Sequence, residues 1–314
     1  MTRSVIVGTG GYLPARSLTN DELAAEFRLD TSDAWISERT GIRRRHMAAP
    51  GETTADMGAA AAREALAQAG ADASEVDAII LATATPDSAF PSTATRVQEK
   101  LGIRQGFSFD ISAACTGFIY ALGVADAMIR AGQCRSALVI GAEAFTRILD
   151  WTDRSTCVLF GDGAGAVLMR ADDDSTDRGI LSSHLHSDGR HGDILQVEGG
   201  LVRMAGREVF RHAVSKLASA VDEALAANNL AKSDVQWLVP HQANLRIIDA
   251  MGRKLGLPQE RVVVTVDRHA NTSAASIPLA LAEAVRDGRI RPGDLVLMEA
   301  IGGGLTWGAT LARF

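Results

Sequence analysis

Cysteine is scarce in this chain of 314 residues: it occurs only at positions 115, 134 and 157, and never with CxxC spacing. So few cysteines exclude a disulfide framework and favour a reducing cytoplasm. The sequence also lacks any apolar run near the roughly 20 residues that span a bilayer. Its N-terminus enters a strand-like segment at once, without the long apolar region of a signal peptide. We therefore expect a cytoplasmic protein with no membrane partner.

Positive charge is not in excess either, since 32 Lys and Arg residues are outnumbered by 38 Asp and Glu residues, for a net charge of −6. A phosphate-binding surface needs a strongly basic face, so we expect no nucleic-acid partner. The length permits two domains, or one large fold with two cores. The apolar share of 46% is normal for a soluble enzyme.

Strand-like and helix-like segments alternate along the sequence, which predicts an α/β fold with mostly parallel sheets between helices. The short apolar run 76–83 follows a helical pattern at 59–69, and the run 235–240 follows another at 209–228. Strands that are apolar throughout are covered on both faces. The acidic segment 171–178 is predicted to be a solvated loop. It divides the chain into an N-terminal half, 1–170, and a C-terminal half, 171–314.

Local patterns repeat at a nearly constant separation. The tripeptide ACT at 114–116 matches ANT at 270–272, and GQCR at 132–135 matches GRIR at 288–291, both at an offset of 156 residues. A further pair, EALA at 64–67 and 223–226, is offset by 159 residues. One loop insertion would explain the difference. The pattern indicates a duplicated chain whose halves carry a cysteine and an asparagine at equivalent positions.

Cys115 has the setting of a nucleophile. It follows a predicted strand at 106–110 and precedes an apolar helical pattern at 117–130, so it lies at or near a helix N-terminus. Unpaired amides and the helix dipole favour a thiolate there, and we expect the pKa of this thiol to lie below its ordinary value. Small neighbouring residues would let a ligand approach the sulfur. An isolated cysteine is more often buried and inert, which is how we interpret Cys134 and Cys157.

His241 and Asn271 are the polar candidates of the second half. His241 follows the run 235–240, and Asn271 follows a predicted strand at 262–266. Ligand sites of parallel sheets lie just beyond such strand ends. Either residue alone would more often be a cap or turn residue, but together they indicate one site. A thiol with neutral histidine and asparagine donors suits acyl transfer, in which the thiolate attacks a thioester and the donors stabilise oxyanion or enolate charge.

Three other segments are less specific. The run IGGGLTW at 301–307 is either a tight turn or a source of backbone amides for an oxyanion hole. The motif GTGGYL at 8–13 lacks the third glycine of a dinucleotide-binding turn. Histidines at 184, 186 and 191 have a spacing that could suit a metal, but the serines, glycines and charges between them are typical of an exposed turn. We expect neither a metal nor a cofactor.

Five motifs together resemble those of one enzyme family: CTGF at 115–118, GDGAGA at 161–166, PHQAN at 240–244, HANTS at 269–273 and GGGLTWG at 302–308. Over nearly its whole length the chain is similar to β-ketoacyl-acyl-carrier-protein synthase III, the priming condensing enzyme of bacterial type II fatty-acid synthesis. The resemblance implies a homodimer with a thiolase-like fold of five α/β/α/β/α layers, built from two pseudo-equivalent halves. The internal repeat suggests such halves independently.

The resemblance also implies a reaction in two stages. Cys115 would take the acyl group from an acyl-CoA substrate, with acetyl-CoA as the expected donor. His241 and Asn271 would bind the thioester carbonyl of malonyl-acyl carrier protein, promote loss of CO₂ and stabilise the enolate. The carbanion would attack acyl-Cys115, whose oxyanion lies on the amides of Cys115 and Gly303. The product would be a 3-oxoacyl-carrier protein, so that the acyl carrier protein is a partner.

Further residues match the family's binding contacts. The matches are Trp35 and Arg154 around the CoA adenine, Arg39 and Thr40 as other CoA contacts, Asn244 at the pantetheine tunnel, and Phe90 at the acyl pocket of the partner subunit. The chain departs from common family residues at Ile301, Leu305, Thr116 and Ser155. None of these departures removes a catalytic group, but they change the shape expected of the acyl pocket and tunnel.

Basic residues offer a docking surface for an acidic carrier protein. Arg246 and Arg253 are seven residues apart on one predicted helix and hence share a face, with Lys254 adjacent. Arg211 could extend this patch. The alternative is an ordinary solvated helix face. Since the chain as a whole is negative, attraction to an acidic partner would have to be local.

Other functions stay open at this stage. Within the same fold, the chain could be a condensing enzyme or an acyltransferase of secondary metabolism, although the presence of Asn271 disfavours a simple acyltransferase. A cysteine thioesterase would use His241 as a general base for water. An inactive scaffold protein is the remaining class. The residues do not reveal the preferred acyl-CoA, since one methylene changes discrimination by only about 1–3 kcal/mol.

Overall fold

Helices and strands alternate along the chain, as the sequence pattern predicts. A computed structural model of the protein describes residues 2–174 and 177–314. The α-helices are α1 (Asn20–Phe27), α2 (Asp33–Thr40), α3 (Thr54–Ala69), α4 (Thr93–Lys100), α5 (Gly117–Arg130), α6 (Gly206–Ala227), α7 (Leu245–Leu255), α8 (Val266–His269) and α9 (Ser276–Arg286). The β-strands are β1 (Arg3–Tyr12), β2 (Arg16–Thr19), β3 (Arg44–Met47), β4 (Ala78–Ala82), β5 (Phe107–Ile111), β6 (Ser136–Glu143), β7 (Gly163–Asp172), β8 (Gly179–Ser187), β9 (Leu195–Glu198), β10 (Leu201–Met204), β11 (Trp237–Pro240), β12 (Leu295–Gly302) and β13 (Thr306–Arg313).

Two mixed sheets contain most of these strands. The first has the order β1-β7-β6-β4-β5 and the second the order β11-β12-β13-β8. In them, β4 is parallel to β5 and β6, and β11 is parallel to β12, whereas the other pairs are antiparallel. The prediction of mostly parallel sheets is therefore wrong. In the second sheet, the short turn between β12 and β13 permits only antiparallel pairing.

Three hydrophobic cores separate the chain into layers. One core lies between the first sheet and helices α3 and α4. A second lies between the two sheets and contains α5 and α9. The third lies between the second sheet and helices α6 and α7. The order helix, sheet, helix, sheet, helix is the five-layered arrangement expected from the resemblance. The sequence of β4 is apolar throughout because alternate residues of this strand are buried in the first and the second of these cores.

The predicted strand that ends at Val266 does not form. Val262 makes only an isolated bridge to Leu238. The reason lies in the buried side chain of Gln242, whose oxygen accepts hydrogen bonds from the amides of Thr265 and Val266 at 2.8 and 3.0 Å. These amides are therefore not available for a β-ladder.

The acidic segment 171–178 was expected to be a loop between the halves. Its first two residues end β7 instead, residues 175 and 176 lie outside the described residues, and β8 begins at Gly179. The first sheet takes its strands from residues up to Asp172, and the second from Gly179 onward. The domain boundary itself stays a prediction.

None of the helices in the described parts of the chain is long and apolar enough to cross a membrane.

Candidate active site

The internal repeat has a counterpart in the backbone. Ala114 and Ala270 both have a positive φ, of 45° and 59°. Such values are uncommon outside glycine. The next residues are Cys115 and Asn271, and each segment continues through a short 3-10 turn into a helix, α5 or α9. The matching sequence pieces therefore share an unusual local geometry, which supports the equivalence of these two segments.

The structure brings Cys115, His241 and Asn271 together on one cavity of about 640 Å³. Each side chain is buried, and each comes from a different segment: the turn before α5, the end of β11 and the loop after α8. Parallel pairing of β11 with β12 places His241 beside Glu299. The amide of His241 donates a hydrogen bond to the carbonyl of Glu299 at 2.8 Å. The site therefore depends on the packing of distant parts of the chain.

His241 is held as a neutral imidazole. Burial lowers its pKa to about 3, because a charged ring would lose its hydration. Its Nδ1 lies 2.6 Å from the hydroxyl oxygen of Ser276, the first residue of α9. The same hydroxyl oxygen accepts a hydrogen bond from the amide of Gln242 at 3.3 Å. The ring is thus uncharged and oriented, as the sequence argument for a neutral donor requires.

Asn271 has its amide oriented by the next turn. Its Oδ1 accepts a hydrogen bond from the backbone N–H of Ser273 at 2.8 Å. Its backbone amide donates to the carbonyl of Leu159 at 2.9 Å, and its carbonyl accepts a hydrogen bond from the amide of Gly161 at 3.1 Å. Since the side-chain oxygen is occupied, the Nδ2 group is the part of Asn271 that can donate to a ligand.

Cys115 does not have the lowered pKa that was expected of it. Burial raises the pKa of its thiol to about 12, and the charge of Glu143 adds to this rise, while the hydroxyl of Ser273 opposes it. Cys115 does lie in the turn that leads into α5, as predicted. The expectation failed because the helix N-terminus was considered without the loss of hydration around a buried sulfur.

The glycine-rich turn lies against the nucleophile. A Cβ added to Gly302 would come within 2.7 Å of the backbone nitrogen of Cys115, so only glycine fits there. The hydroxyl of Thr306 donates to the carbonyl of Ala113 at 3.1 Å, and that of Thr116 donates to the carbonyl of Thr306 at 3.0 Å. These contacts hold Gly303, the predicted second oxyanion donor, in the turn next to the Cys115 backbone.

The residues predicted to bind CoA line the same cavity, with one exception. Trp35, Arg39, Thr40 and Asn244 line it. Arg154 lies beside them, with its guanidinium 5.1 Å from the ring centroid of Trp35, while that of Arg39 is 4.6 Å away. Asn244 caps α7 by accepting the amide of Arg246 at 2.9 Å, and also donates to the carbonyl of Arg39 at 3.1 Å.

The predicted docking residues line three different surface depressions. Arg246 lines the cavity and donates to the carbonyl of Glu38 at 3.1 Å. Arg211 and Lys254 line a separate groove between α6 and α7. Arg253 lines another groove, together with residues that follow α7. Their role in docking stays a prediction.

Phe90 lies apart from the site of its own chain. Its side chain is 85% exposed and does not line the cavity.

The histidines whose spacing could suit a metal are not arranged as metal ligands. His184 and His186 both contact Glu223, with N···O distances of 3.0 and 2.6 Å. Among residues 2–174 and 177–314, no group of three such side chains could hold a metal ion.

Several residues of the candidate site could not be found from the sequence. The cavity is also lined from β9, β10 and α6, by Leu195, Met204, Arg207, Val209 and Phe210. Ser276, which orients His241, was missed as well. No local motif marks these residues, because tertiary packing alone brings them to the site.

Comparison with known proteins agrees with this geometry. Residues 109–189 match the sequence model of 3-oxoacyl-[acyl-carrier-protein] synthase III, and residues 225–314 match that of its C-terminal part. The β-ketoacyl-[acyl-carrier-protein] synthase III of Acidiphilium cryptum is 67% identical over 100% of both chains, and that of Rhodospirillum centenum is 63% identical over 99% of both. The crystal structure of 3-oxoacyl-[acyl-carrier-protein] synthase III from Aquifex aeolicus has a TM-score of 0.95 and 49% identity, covering 99% of this chain and 100% of that one.

These similarities extend over the whole chain and include its layer order, so the protein is a condensing acyltransferase with a thiolase fold. Within that class, the chain belongs to the β-ketoacyl-[acyl-carrier-protein] synthase III family. The resemblance drawn from the five sequence motifs is confirmed. The individual residue roles stay predictions.

Proposed function

We propose that the protein condenses a short-chain acyl-CoA, with acetyl-CoA as the expected donor, with malonyl-acyl carrier protein. The products would be a 3-oxoacyl-carrier protein, CO₂ and CoA, and the reaction would initiate fatty-acid synthesis. The observation that carries this proposal is the convergence of Cys115, His241 and Asn271 on one cavity. The same cavity is lined by half-buried Trp35 and exposed Arg39. A buried nucleophile with an aromatic and cationic outer part suits a long thioester such as acyl-CoA.

In the first half-reaction, the sulfur of Cys115 attacks the acyl carbonyl. A new S–C bond forms, the bond from the carbonyl carbon to the CoA sulfur breaks, and the thiol proton leaves on CoA. Burial keeps the thiol protonated before substrate arrives, so the sulfur loses its proton during attack. The amides of Cys115 and Gly303 would bind the oxyanion, as preorganised donors do in acyl transfer.

In the second half-reaction, neutral donors stabilise negative charge on the malonyl thioester. Since Ser276 accepts the amide of Gln242, its own proton can be donated to Nδ1 of His241, which leaves the ring proton on Nε2. This N–H and the Nδ2 group of Asn271 would bind the thioester oxygen. The bond to the carboxylate breaks, CO₂ leaves, and the enolate carbon attacks acyl-Cys115. A C–C bond forms as the S–C bond of Cys115 breaks, the sulfur leaves as a thiolate that takes up a proton from solvent, and the product is released.

Acyl carrier protein would dock at the cavity mouth. Arg246 lines the cavity, and Arg211 and Lys254 line the groove between α6 and α7. The attraction would be local, because the chain is net negative. Charge complementarity of this kind affects association and specificity more than it affects the chemical step.

A second copy of the chain would complete the assembly. In the first sheet, β5 is an edge strand, and among the described strands it pairs only with β4. Its Phe107 is 36% exposed and stacks on Phe109. Edge strands with exposed apolar side chains favour pairing with another chain. A homodimer joined here would cover Phe107 and let the exposed Phe90 reach the partner's acyl pocket. Analytical ultracentrifugation of Phe107→Asp should then show a monomer, whereas an unchanged mass would place the interface elsewhere.

Product analysis tests the proposed reaction. With acetyl-CoA and malonyl-acyl carrier protein, the enzyme should release CO₂ and form 3-oxobutyryl-carrier protein. Omitting acetyl-CoA is the matched control for decarboxylation without condensation. Free acid and CoA as the only products would instead indicate a cysteine thioesterase.

A cytoplasmic location stays our expectation from the cysteine content of the sequence.

A further inference from the structure

A segment that takes no part in the proposed chemistry lies along the glycine-rich turn. It comprises residues 188–195, follows β8 and contains the 3-10 turn Gly189–Ile194. At its start, the amide of Asp188 donates to the carbonyl of Leu305 at 2.8 Å, and the amide of Leu305 donates to the carbonyl of Asp188 at 3.0 Å. This pair of backbone hydrogen bonds joins the segment to the end of the turn that leads into β13.

Two further close approaches continue this contact. A Cβ added to Gly192 would lie 3.6 Å from the carbonyl oxygen of Gly304. A Cβ added to Gly303 would come within 2.7 Å of the carbonyl oxygen of Leu195. As the segment runs forward from 188 to 195, its contacts run backward along the turn from 305 to 303. The two stretches are therefore antiparallel, and the segment packs on Gly303, the predicted oxyanion donor.

Helix α6 contacts both stretches through the side chain of Lys216. The Nζ of Lys216 lies 3.7 Å from Oδ2 of Asp188 and 3.8 Å from the ring centroid of Trp307. Trp307 lies in β13, two residues beyond Leu305. The side chains of Lys216 and Asp188 are only 18% and 13% exposed, so solvent ions screen their attraction less than that of a surface pair. One cation thus holds the start of the segment and the strand beyond the turn.

Other contacts fix the geometry of this ion pair. The Nε and one terminal nitrogen of Arg190 each donate to the carboxylate of Asp188 at 2.9 Å. These bonds hold the pKa of Asp188 below its ordinary value, so the carboxylate is charged at neutral pH. One turn of α6 before Lys216, the ring of His212 packs on that of His191, with centroids 4.4 Å apart. One face of α6 therefore contacts the segment at two points.

We propose that Lys216 and Asp188 are positioning residues that, through the segment 188–195, hold the amide of Gly303 where the oxyanion forms on the acyl group of Cys115. The inference rests on the proposed function, because it takes Gly303 as an oxyanion donor. Neither charged side chain touches a reacting atom. A preorganised donor is effective only when it is held at the place where charge develops.

The proposal predicts different effects on the two half-reactions. Acyl transfer to Cys115 forms an oxyanion next to the glycine-rich turn, so it should slow when the turn is held less firmly. Loss of CO₂ from the malonyl thioester depends on His241 and Asn271, so it should not slow. A general loss of structure would affect both steps.

Lys216→Met tests this difference, since it removes the cation but keeps a long side chain beside Trp307. At saturating acetyl-CoA, acylation of Cys115 followed by mass spectrometry of quenched samples should be roughly tenfold slower, a smaller loss than the 10²–10³-fold effect of deleting an oxyanion-hole donor. The acetyl-CoA concentration for half-saturation should stay nearly unchanged. Release of CO₂ from malonyl-acyl carrier protein without acetyl-CoA should keep its native rate. Native acylation, or equal loss in both half-reactions, would overturn the proposal.

Two matched variants test whether the charge of Lys216 is responsible. Lys216→Arg retains the cation and should restore most of the acylation rate. Lys232→Met removes another ion pair of α6, in which Nζ lies 3.0 Å from Oδ1 of Asp222 at the exposed far end of the helix. It should leave both half-reactions unchanged. If the arginine variant is as slow as Lys216→Met, or if Lys232→Met is equally slow, the proposed contact is not what holds the turn.

Hydrogen exchange tests the contact without substrate. Asp188→Asn removes the charge but retains the backbone bonds to Leu305, so it also serves if Lys216→Met does not fold. In either variant, the peptide that contains residues 303–305 should exchange faster than in the native protein, while the peptide that contains His241 should exchange at the native rate. Unchanged exchange in the turn would overturn the proposal. Because exchange requires no reaction, this failure is distinguishable from failure of the proposed condensation, which product analysis tests.

Discussion

The hydroxyl oxygen of Ser276 lies 2.6 Å from Nδ1 of His241 and joins the start of α9 to the end of β11. These two elements come from distant parts of the second half, and both lie in the central core. The orientation of the imidazole is therefore set by the packing of a helix on a sheet. When Ser276 donates its hydroxyl proton to Nδ1, the ring proton is on Nε2, where a substrate oxygen can accept it.

Replacing Cys115 by serine should block formation of the acyl-enzyme. A serine hydroxyl at this position is a much weaker nucleophile than the thiol at neutral pH. Mass spectrometry after incubation with acetyl-CoA should show about one acetyl group on the native chain, on the peptide that contains Cys115. Label on Cys134 or Cys157 instead would end the assignment.

Replacing His241 or Asn271 by alanine should separate the two half-reactions. Each variant should still accept an acyl group on Cys115, because neither side chain is proposed to activate the thiol. Each should lose malonyl decarboxylation by roughly 10²–10³-fold if oxyanion-hole magnitudes apply. Ser276→Ala should lose less, since it removes only the orientation of the ring. Variants that decarboxylate normally but cannot be acylated would favour a Cys–His nucleophilic pair.

Glu299 should make the protein less stable as pH rises. It is buried, neither carboxyl oxygen has a hydrogen-bond partner among the described residues, and burial raises its pKa to about 8 from an ordinary 4.5. Between these values Glu299 binds more protons in the native state than in the unfolded state, so its contribution to stability is largest below pH 4.5 and declines toward pH 8. Glu143 contributes a slope of the same sign, because its pKa is also raised.

Glu299→Gln should therefore stabilise the protein at pH 8 by roughly 1–3 kcal/mol, and by much less at pH 5. Urea unfolding of both proteins at these two pH values measures the difference. If native and variant proteins show the same dependence on pH, Glu299 does not ionise in this range, and the assignment of the slope is wrong.

Reversing the charge of Arg246 to glutamate should raise the KM for malonyl-acyl carrier protein while self-acylation by acetyl-CoA stays nearly unchanged. The native preference should weaken with salt, since exposed charges are screened over about 8–10 Å near physiological ionic strength. Because Arg246 also bonds Glu38 within the cavity wall, Lys254→Glu is the control for charge alone. Equal damage to both half-reactions in the Arg246 variant would mean that this residue holds the cavity together.

Much of the fold was predictable because hydrophobic periodicity is a local property. The helix predicted to carry Arg246 and Arg253 is α7, and the apolar run 76–83 contains β4. The strand predicted to end at Val266 was wrong because a side chain distant from it in sequence, Gln242, takes two of its backbone amides. Strand direction was also misjudged, since pairing is decided between segments and not within them.

By itself, the sequence determined the local geometry of the site and the family. The repeated pieces at 114–116 and 270–272 place the cysteine and the asparagine after alanines that both have a positive φ. Only the tertiary structure decided the charge states and the neighbours of these groups. The pKa of Cys115 rises although a helix begins beside it, because desolvation and the charge of Glu143 depend on how separate layers pack. Spacing along a chain records backbone geometry, whereas hydration and Coulomb interactions depend on distances in space between residues far apart in sequence.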